Sequence, residues 1–306
     1  MRKKLKISVD TLTFKEGAEE FLNDCKVRGL RKDTLRHYDS ALKVIYKTIP
    51  PNTPIETFDK SLYNKYKTGL YNRGLASQTI YSNTRDLSII IKFFMKKGYI
   101  KEFEMDLPKV DKKPIETYTD DEIKTLLAKP KRKTFVELRD YTIVNLLFST
   151  GLRLSSLINI KVSDIDFDTN TLIVRHTKNH KALIIPLSDS LVLVLKNYLR
   201  LACRKEDDWL FCNTYGDKLT KSTITHALLE YNHKRGVQKS GMHRWRHTFA
   251  KYWILNGGNV VVLSRILGHS SLNITQNYIN LLVTDMTDEV NEIDIINKFV
   301  RNGIKI

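Results

Sequence analysis

Residues 243–250 of this 306-residue chain read His-Arg-Trp-Arg-His-Thr-Phe-Ala. If this stretch is helical, His243 and Arg246 are three residues apart on one face, so both side chains can point at one ligand. His243 and His247 are four residues apart, a spacing that zinc sites use. The residues between them, however, supply two cations and no glutamate base. The stretch therefore predicts a helix-borne site for one ligand and argues against zinc.

Three further local patterns flank this stretch. Residues 150–157, Thr-Gly-Leu-Arg-Leu-Ser-Ser-Leu, place Arg153 just after a glycine at a predicted helix start. Helix N-termini and arginine forks both suit phosphate, although a structural arginine paired in a loop is the alternative. Lys178 lies in a predicted turn, where a merely solvated lysine is the alternative. The third pattern, Leu-Gly-His-Ser-Ser, has His269 at its centre and is followed nine residues after it by Tyr278.

The order of these patterns resembles the signature of the tyrosine recombinases: Arg, Lys, His-x-x-Arg, Gly-His and Tyr. This family includes the phage integrases and the Xer-, Cre- and transposon-type recombinases. The resemblance extends over nearly the whole chain. Residues 150–157 resemble the first arginine box of that family. Residues 243–250 and the later Leu-Gly-His-Ser-Ser-Leu-Asn-Ile-Thr-Gln-Asn-Tyr stretch resemble its second box. Lys178, with Lys181 and Pro186 after it, is similar to its β-hairpin lysine motif.

The chain departs from the family pattern at two places. Ser156 stands three residues after the first arginine, where the family usually carries an acid. Ile279-Asn280 follows the tyrosine, where the family often has Thr-His. The change at Ser156 affects a residue that would support the catalytic side chains, and the change at Ile279-Asn280 lies outside the catalytic set. Neither removes a residue that would contact phosphate.

The resemblance implies covalent catalysis at a DNA phosphodiester. Tyr278 would attack and retain the 3′ phosphate as a phosphotyrosine, while a 5′ hydroxyl leaves. Lys178 would protonate that leaving oxygen. The bond energy stays in the covalent link, so religation needs no ATP, and the sequence contains no Walker pattern.

The remaining residues of the implied site handle charge and protons. Arg153 and Arg246 would clamp the non-bridging oxygens of the pentavalent phosphorane. His243 would exchange a proton or donate to a phosphate oxygen, and His269 would donate a hydrogen bond to the phosphate. Such a cationic set makes a metal unnecessary, so we expect no metal and no cofactor. The predicted catalytic residues are Arg153, Lys178, His243, Arg246, His269 and Tyr278.

Composition points to the same kind of partner. The chain carries 51 Lys and Arg against 34 Asp and Glu, a formal charge of +17, which favours a polyanion such as nucleic acid. The three cysteines are far apart and form no CxxC, so a disulfide framework is excluded and the thiols are expected to be reduced. No stretch approaches the roughly 18 apolar residues of a membrane span, and the basic N-terminus has no apolar region behind it. We therefore expect a cytoplasmic protein without a membrane partner.

The hydrophobic periodicity predicts a mainly α protein of two domains. Residues 1–105 read as four helices, a bundle similar to the SAM-like core-binding domain of the family. Residues 106–118 read as a linker, and residues 119–284 as the catalytic domain with the DNA breaking-rejoining fold. Residues 285–306 form an acidic and apolar tail. It could dock onto a neighbouring subunit or fold back on its own domain.

Local signals place the helix ends and the strands. Asp33-Thr34 is predicted to cap the second helix and Ser77 the fourth, and Thr119 with Glu122 forms a capping box. In the catalytic domain, short β-rich runs separated by turn residues predict a three-stranded antiparallel sheet. The runs are Asp164 to Phe167, Thr171 to His176 and Ala182 to Leu187.

These observations predict a site-specific recombinase that integrates or excises a mobile element. Its partners would be double-stranded DNA with inverted-repeat core sites and three further copies in a synaptic homotetramer, with directionality or host factors as additional candidates. A catalytically inactive DNA-binding accessory factor and an enzyme similar to type IB topoisomerases are the alternatives. The candidate DNA-binding residues are basic or polar: Arg28, Arg31, Lys32, Arg36, Lys43, Lys218, Lys221 and Ser222.

Overall fold

The computed structural model describes residues 12–110, 116–131, 134–176 and 182–268. The predicted catalytic residues Lys178, His269 and Tyr278 lie outside these ranges, as does the predicted tail. The chain divides into two units, Met1–Lys113 and Pro114–Ile306.

The first unit is helical in its described part. A 3-10 turn precedes the third helix. The elements are α1 (Phe14–Val27), α2 (Lys32–Ile45), the turn Ile55–Thr57, α3 (Lys60–Asn72) and α4 (Ser77–Lys96).

Aromatic side chains form the centre of this bundle. The ring of Phe14 meets that of Phe94 edge-on at 5.4 Å and that of Phe58 at 5.9 Å. Burying each such side chain contributes roughly 1.5–3 kcal/mol. Gly17 permits the close crossing, because a Cβ there would lie 2.3 Å from Ile55 Cδ1 and 2.9 Å from Phe94 Cε1.

Two helix starts differ from the prediction. Arg31, and not Asp33-Thr34, occupies the cap position of α2. Asp33 lies in the first turn, where its charge suits the positive end of the helix dipole and pairs with Arg36 at 3.0 Å. Ser77 is likewise the first helical residue of α4, with Ala76 in the cap position. Both helices therefore begin earlier than the capping preference indicates, α2 at Lys32 and α4 at Ser77.

The second unit is also mostly helical. Its capping box is confirmed, since Glu122 N donates to Thr119 Oγ1 at 3.3 Å and Thr119 N donates to Glu122 Oε2 at 2.9 Å. The helices of its described part are α5 (Asp120–Leu126), α6 (Phe135–Thr150), α7 (Leu154–Leu157), α8 (Asp189–Leu201), α9 (Lys221–His233), α10 (Met242–Leu255) and α11 (Val260–Leu267).

A small sheet interrupts these helices between α7 and α8. Its strands are β1 (Ile165–Asp166), β2 (Thr171–Val174) and β3 (Leu183–Pro186), antiparallel in the order β1-β2-β3. The β2–β3 ladder runs from Thr171 opposite Pro186 to Val174 opposite Leu183. The strands are shorter than predicted at their ends. The predicted fold class, mainly α with a three-stranded antiparallel sheet, is confirmed.

Helix α6 lies at the centre of the second unit and packs against α8, α9 and α10. Trp245 on α10 is 1% exposed and packs against Tyr118, with the ring centroids 4.3 Å apart and the ring planes tilted by 41°. Tyr118 N donates to Thr248 Oγ1 at 3.0 Å, so the chain just before α5 is fixed to α10. These contacts set the position of the helix that begins beside His243.

The three cysteines are free thiols. Cys25 and Cys212 are buried, whereas Cys203 is exposed and has a φ of 50°. Within the described residues, every helix is too short or too polar to cross a membrane.

Candidate active site

Two arginines converge at the end of α11. Arg153 Nη1 donates to the carbonyl oxygens of Leu267 at 3.2 Å and Gly268 at 3.4 Å. Arg246 Nη2 donates to the same Leu267 oxygen at 2.8 Å, and its Nη1 donates to Gly151 O at 2.9 Å. The structure thus brings together two guanidinium groups that are far apart in the sequence.

The local chain explains why these carbonyls are available. Gly151 and Gly268 end α6 and α11 in the left-handed conformation, with φ of 60° and 59°. Helix ends leave carbonyls without helical partners, and here arginine side chains donate to them. A Cβ on Gly151 would lie 2.6 Å from Phe249 Cδ1 and 2.7 Å from Leu267 Cδ2. Only glycine therefore allows α6, α10 and α11 to meet this closely.

The two arginines differ in burial. Arg246 is 5% exposed and belongs to the middle of α10, so its orientation is fixed by the packing around it. Arg153 is half-buried in the cap position of α7, as the sequence predicts for an arginine at a helix start. A fixed guanidinium beside a more accessible one is suited to holding an anion at the surface of the unit.

His243 lies in the first turn of α10, one helical turn before Arg246. Its imidazole is accessible to solvent. Desolvation by the surrounding protein, followed by the charges of Arg246 and Arg153, lowers its pKa. At neutral pH the imidazole is therefore uncharged, and it can accept a proton as well as donate a hydrogen bond.

His247 lies 6.2 Å from His243 between ring centroids. Desolvation, followed by His243, Arg246 and Arg244, lowers its pKa to about 4. Both imidazoles thus face cations. Among the described residues, no group of three or more potential metal-ligating side chains occurs.

A second cationic group surrounds Trp209, and sequence reasoning found only one of its members. Lys218 Nζ lies 4.2 Å from the centroid of the indole ring and Lys161 Nζ lies 5.7 Å from it. Lys218 also donates to Asn159 Oδ1 at 2.5 Å. Asn159 Nδ2 donates in turn to Ser155 O on α7 at 2.6 Å. No sequence spacing connects these residues, because an antiparallel bridge between Lys161 and Trp209 brings them together.

The other predicted DNA-binding residues are exposed and lie on or beside three helices, α1, α2 and α9. Lys32, Arg36 and Lys43 have spacings of four and seven residues, so they share one face of α2. Arg28 ends α1, and Arg31 occupies the cap position of α2. Lys221 and Ser222 begin α9 after the capping residue Thr220. Among all the predicted site residues, the structure brings Arg153, His243 and Arg246 together.

Residues 116–284 match the family model of the phage integrase family. The chain belongs to this family. A curated relative, tyrosine recombinase XerA of Pyrococcus furiosus, is 30% identical over 292 residues, which cover 93% of this chain and 96% of that protein. Tyrosine recombinase XerD of Staphylococcus aureus is 27% identical and covers 85% of this chain and 92% of that protein. The predicted tyrosine recombinase identity is confirmed, and with it an enzyme that cleaves and rejoins DNA.

Solved structures of this family share the fold. A Tn1549 transposon integrase in complex with transposon right end DNA matches with a TM-score of 0.73 at 18% identity, over 91% of this chain and 100% of that one. A λ integrase dimer bound to a COC′ core site matches with a TM-score of 0.71 at 19% identity, over 88% of this chain and 77% of that one.

Proposed function

We propose that this recombinase exchanges DNA strands at specific sites through a 3′-phosphotyrosine on Tyr278, without metal or ATP, in the integration or excision of a mobile element. The observation that carries the proposal is the shared hydrogen bonding of Arg153 and Arg246 to Leu267 O, with the uncharged His243 beside them. Two fixed cations next to a proton acceptor are what the attack of a phenol on a phosphodiester requires.

The arginines would stabilise the transition state. Their carbonyl partners hold both guanidinium planes in place before a phosphate arrives, so little reorganisation is needed during the reaction. As negative charge grows on the non-bridging oxygens of the phosphorane, Arg246 and Arg153 would neutralise it. Loss of one such contact costs on the order of 100-fold in rate.

Two proton transfers accompany cleavage. Tyr278 Oη forms a bond to phosphorus, and its proton passes to the uncharged imidazole of His243. The bond from phosphorus to the 5′ oxygen breaks, its electron pair stays on that oxygen, and Lys178 supplies the proton. His269 would donate a hydrogen bond to the phosphate. Rejoining reverses each step.

Exposed cations on both units would bind the DNA backbone. The face of α2 with Lys32, Arg36 and Lys43 and the Lys218 side chain beside Trp209 would each contact phosphates, which position a protein on a duplex without reading its sequence. Arg28, Arg31, Lys221 and Ser222 are further candidates at the helix ends.

The assembly is part of the proposal. Residues 1–105 would be the core-binding domain, 106–118 the linker and 119–284 the catalytic domain, and the DNA would carry inverted-repeat core sites. A λ integrase tetramer bound to a Holliday junction matches this chain with a TM-score of 0.72. This fold relationship supports a homotetramer, in which residues 285–306 would dock onto a neighbouring subunit. Directionality or host factors would act on that assembly.

A nicked suicide substrate tests the nucleophile. With a cognate core site, the parent protein should accumulate a covalent adduct, and Tyr278→Phe should form none while binding the DNA normally. Tyr215→Phe is the matched control, since Tyr215 is 89% exposed. Normal adduct formation by the Tyr278→Phe variant would overturn the assignment, and the absence of adduct with the parent protein would favour a DNA-binding accessory factor.

A further inference from the structure

Ser156 is buried and makes a contact that the acid usual at this position cannot make. Its Oγ donates to the main-chain oxygen of His176 at 2.9 Å. A carboxylate at neutral pH only accepts hydrogen bonds, so it cannot replace the serine in this contact. At this position the chain therefore has a hydrogen-bond donor to a main-chain carbonyl, where the family pattern has an acceptor.

The two ends of this hydrogen bond belong to different functional elements. Ser156 lies on α7, whose cap position is Arg153. His176 follows β2 and stands two residues before Lys178 in the sequence. The bond thus connects the helix that presents one arginine to the strand that leads to the proposed proton donor.

A second side chain anchors the neighbouring residue. Arg175 Nε donates to Asp164 Oδ1 at 2.7 Å. Asp164 is 4% exposed, and its other oxygen accepts from Lys161 N at 2.9 Å. Since the β2–β3 ladder ends with Val174 opposite Leu183, side chains hold residues 175 and 176 beyond the last strand pair.

The third strand is fixed to the same region. A Cβ on Gly268 would lie 3.6 Å from Leu183 Cδ2 and 3.8 Å from Arg153 Nη1. The beginning of β3 is therefore close to the helix end that Arg153 contacts. Both arms of the hairpin are fixed relative to this arginine, β2 by hydrogen bonds and β3 by packing.

We infer that Ser156 is a positioning residue, whose hydrogen bond to His176 sets the placement of Lys178 relative to the phosphate held by Arg153. This inference rests on the proposed function, in which Lys178 protonates the 5′ oxygen. Two residues span at most about 7 Å, so the place of His176 limits where the backbone of Lys178 can lie. A misplacement of about 1 Å in a reacting group can cost on the order of 100-fold in rate.

The leaving-group proton gives the inference a specific test. When the 5′ bridging oxygen is replaced by sulfur, the bond from phosphorus to sulfur breaks and the electron pair stays on a thiolate. A thiol has a pKa near about 8.5, so this leaving group requires no proton donor. A defect that acts through Lys178 should therefore disappear with the sulfur substrate, whereas a general structural defect should remain.

Single-turnover cleavage of matched oxygen and sulfur suicide substrates makes the comparison. Ser156→Ala should slow cleavage of the oxygen substrate about 10- to 100-fold and cleave the sulfur substrate within about threefold of the parent rate. Ser156→Thr keeps the hydroxyl and should restore much of the oxygen rate. Ser155→Ala is the matched control on the same helix and should match the parent on both substrates.

The outcomes separate the inference from the proposed function. Equal slowing of Ser156→Ala on both substrates, or no slowing on oxygen, overturns the positioning role. Lys178→Ala should be slow on oxygen and rescued by sulfur. If sulfur does not rescue it, the proton-donor role of Lys178 fails independently of what Ser156 does.

Discussion

Arg153 and Arg246 donate to one and the same atom, the carbonyl oxygen of Leu267, at 3.2 and 2.8 Å. Like charges repel, and the partial negative charge at the end of α11 offsets that repulsion. The helix end therefore holds the two cations together in the absence of DNA. In this arrangement the protein maintains its phosphate clamp before substrate arrives.

Replacement of Arg246 by lysine should show whether cleavage depends on the positive charge alone or also on the planar shape of the guanidinium group. Arg246→Lys keeps the charge but loses the planar fork that joins Gly151 O and Leu267 O. We expect single-turnover cleavage to fall about 100-fold or more. The free energy of unfolding should fall by roughly 1–3 kcal/mol, because a buried carbonyl loses its partner. Arg265→Lys, at an exposed position of α11, should change neither quantity, and a cleavage rate near that of the parent for Arg246→Lys would contradict the clamp.

Gly151 should be far less tolerant of alanine than another glycine with positive φ. Gly151→Ala adds left-handed strain of about 1–2 kcal/mol and overpacking of about 1–3 kcal/mol against Phe249 and Leu267. Gly216 has a φ of 92° and nothing within 4 Å of its Cβ position, so Gly216→Ala should incur only the strain. Chemical denaturation measures both variants. Equal losses in the free energy of unfolding for the two variants would show that the close contact of α6, α10 and α11 adjusts to the added methyl group without further destabilisation.

His247 should make the stability of the protein depend on pH. Its pKa is about 4 in the folded protein against an ordinary value of 6.5, so the unfolded chain binds a proton first as the pH falls. Stability contributed by the neutral imidazole is complete above about pH 6.5 and is lost progressively toward pH 4. Melting temperatures measured across this range should decline less steeply for His247→Gln. His233→Gln, at an exposed position, should leave the profile unchanged, and a profile unaffected by His247→Gln would exclude this residue as the cause.

The cationic face of α2 should determine part of the salt dependence of DNA binding. Each phosphate contact contributes about 0.9 to the slope of log K against log salt concentration. Joint replacement of Lys32, Arg36 and Lys43 by alanine should therefore lower the magnitude of the slope by up to about 3. Fluorescence anisotropy at several salt concentrations provides the measurement.

A variant of equal charge provides the control for this measurement. Lys26, Lys65 and Lys96 are exposed on α1, α3 and α4, and their joint replacement by alanine removes the same three charges. We expect a change in slope of less than about 1. If both triple variants lower the slope equally, net charge and not the face of α2 accounts for binding.

The sequence predicted the features that depend on neighbouring residues. The capping box of Thr119 and Glu122 and the placement of His243 and Arg246 on one helix need only local spacing, and both are present. The cap at Asp33-Thr34 was wrong because α2 begins after Arg31, which makes no side-chain capping hydrogen bond, so the capping preference does not decide where this helix begins.

The rest of the site could not be read from side-chain patterns. Arg153 and Arg246 meet through backbone carbonyls, which every residue carries and no motif distinguishes. Lys161 and Trp209 meet through an antiparallel bridge between distant segments. Such contacts arise from tertiary packing, so they appear only once the fold is known.

The exposure of Cys203, with Cys25 and Cys212 buried, has a practical consequence. A maleimide fluorophore should react with the native protein at a single position near the end of α8, without any cysteine being removed. Single-molecule energy transfer between a dye there and a dye on the DNA could then follow the assembly and disassembly of recombination complexes in real time.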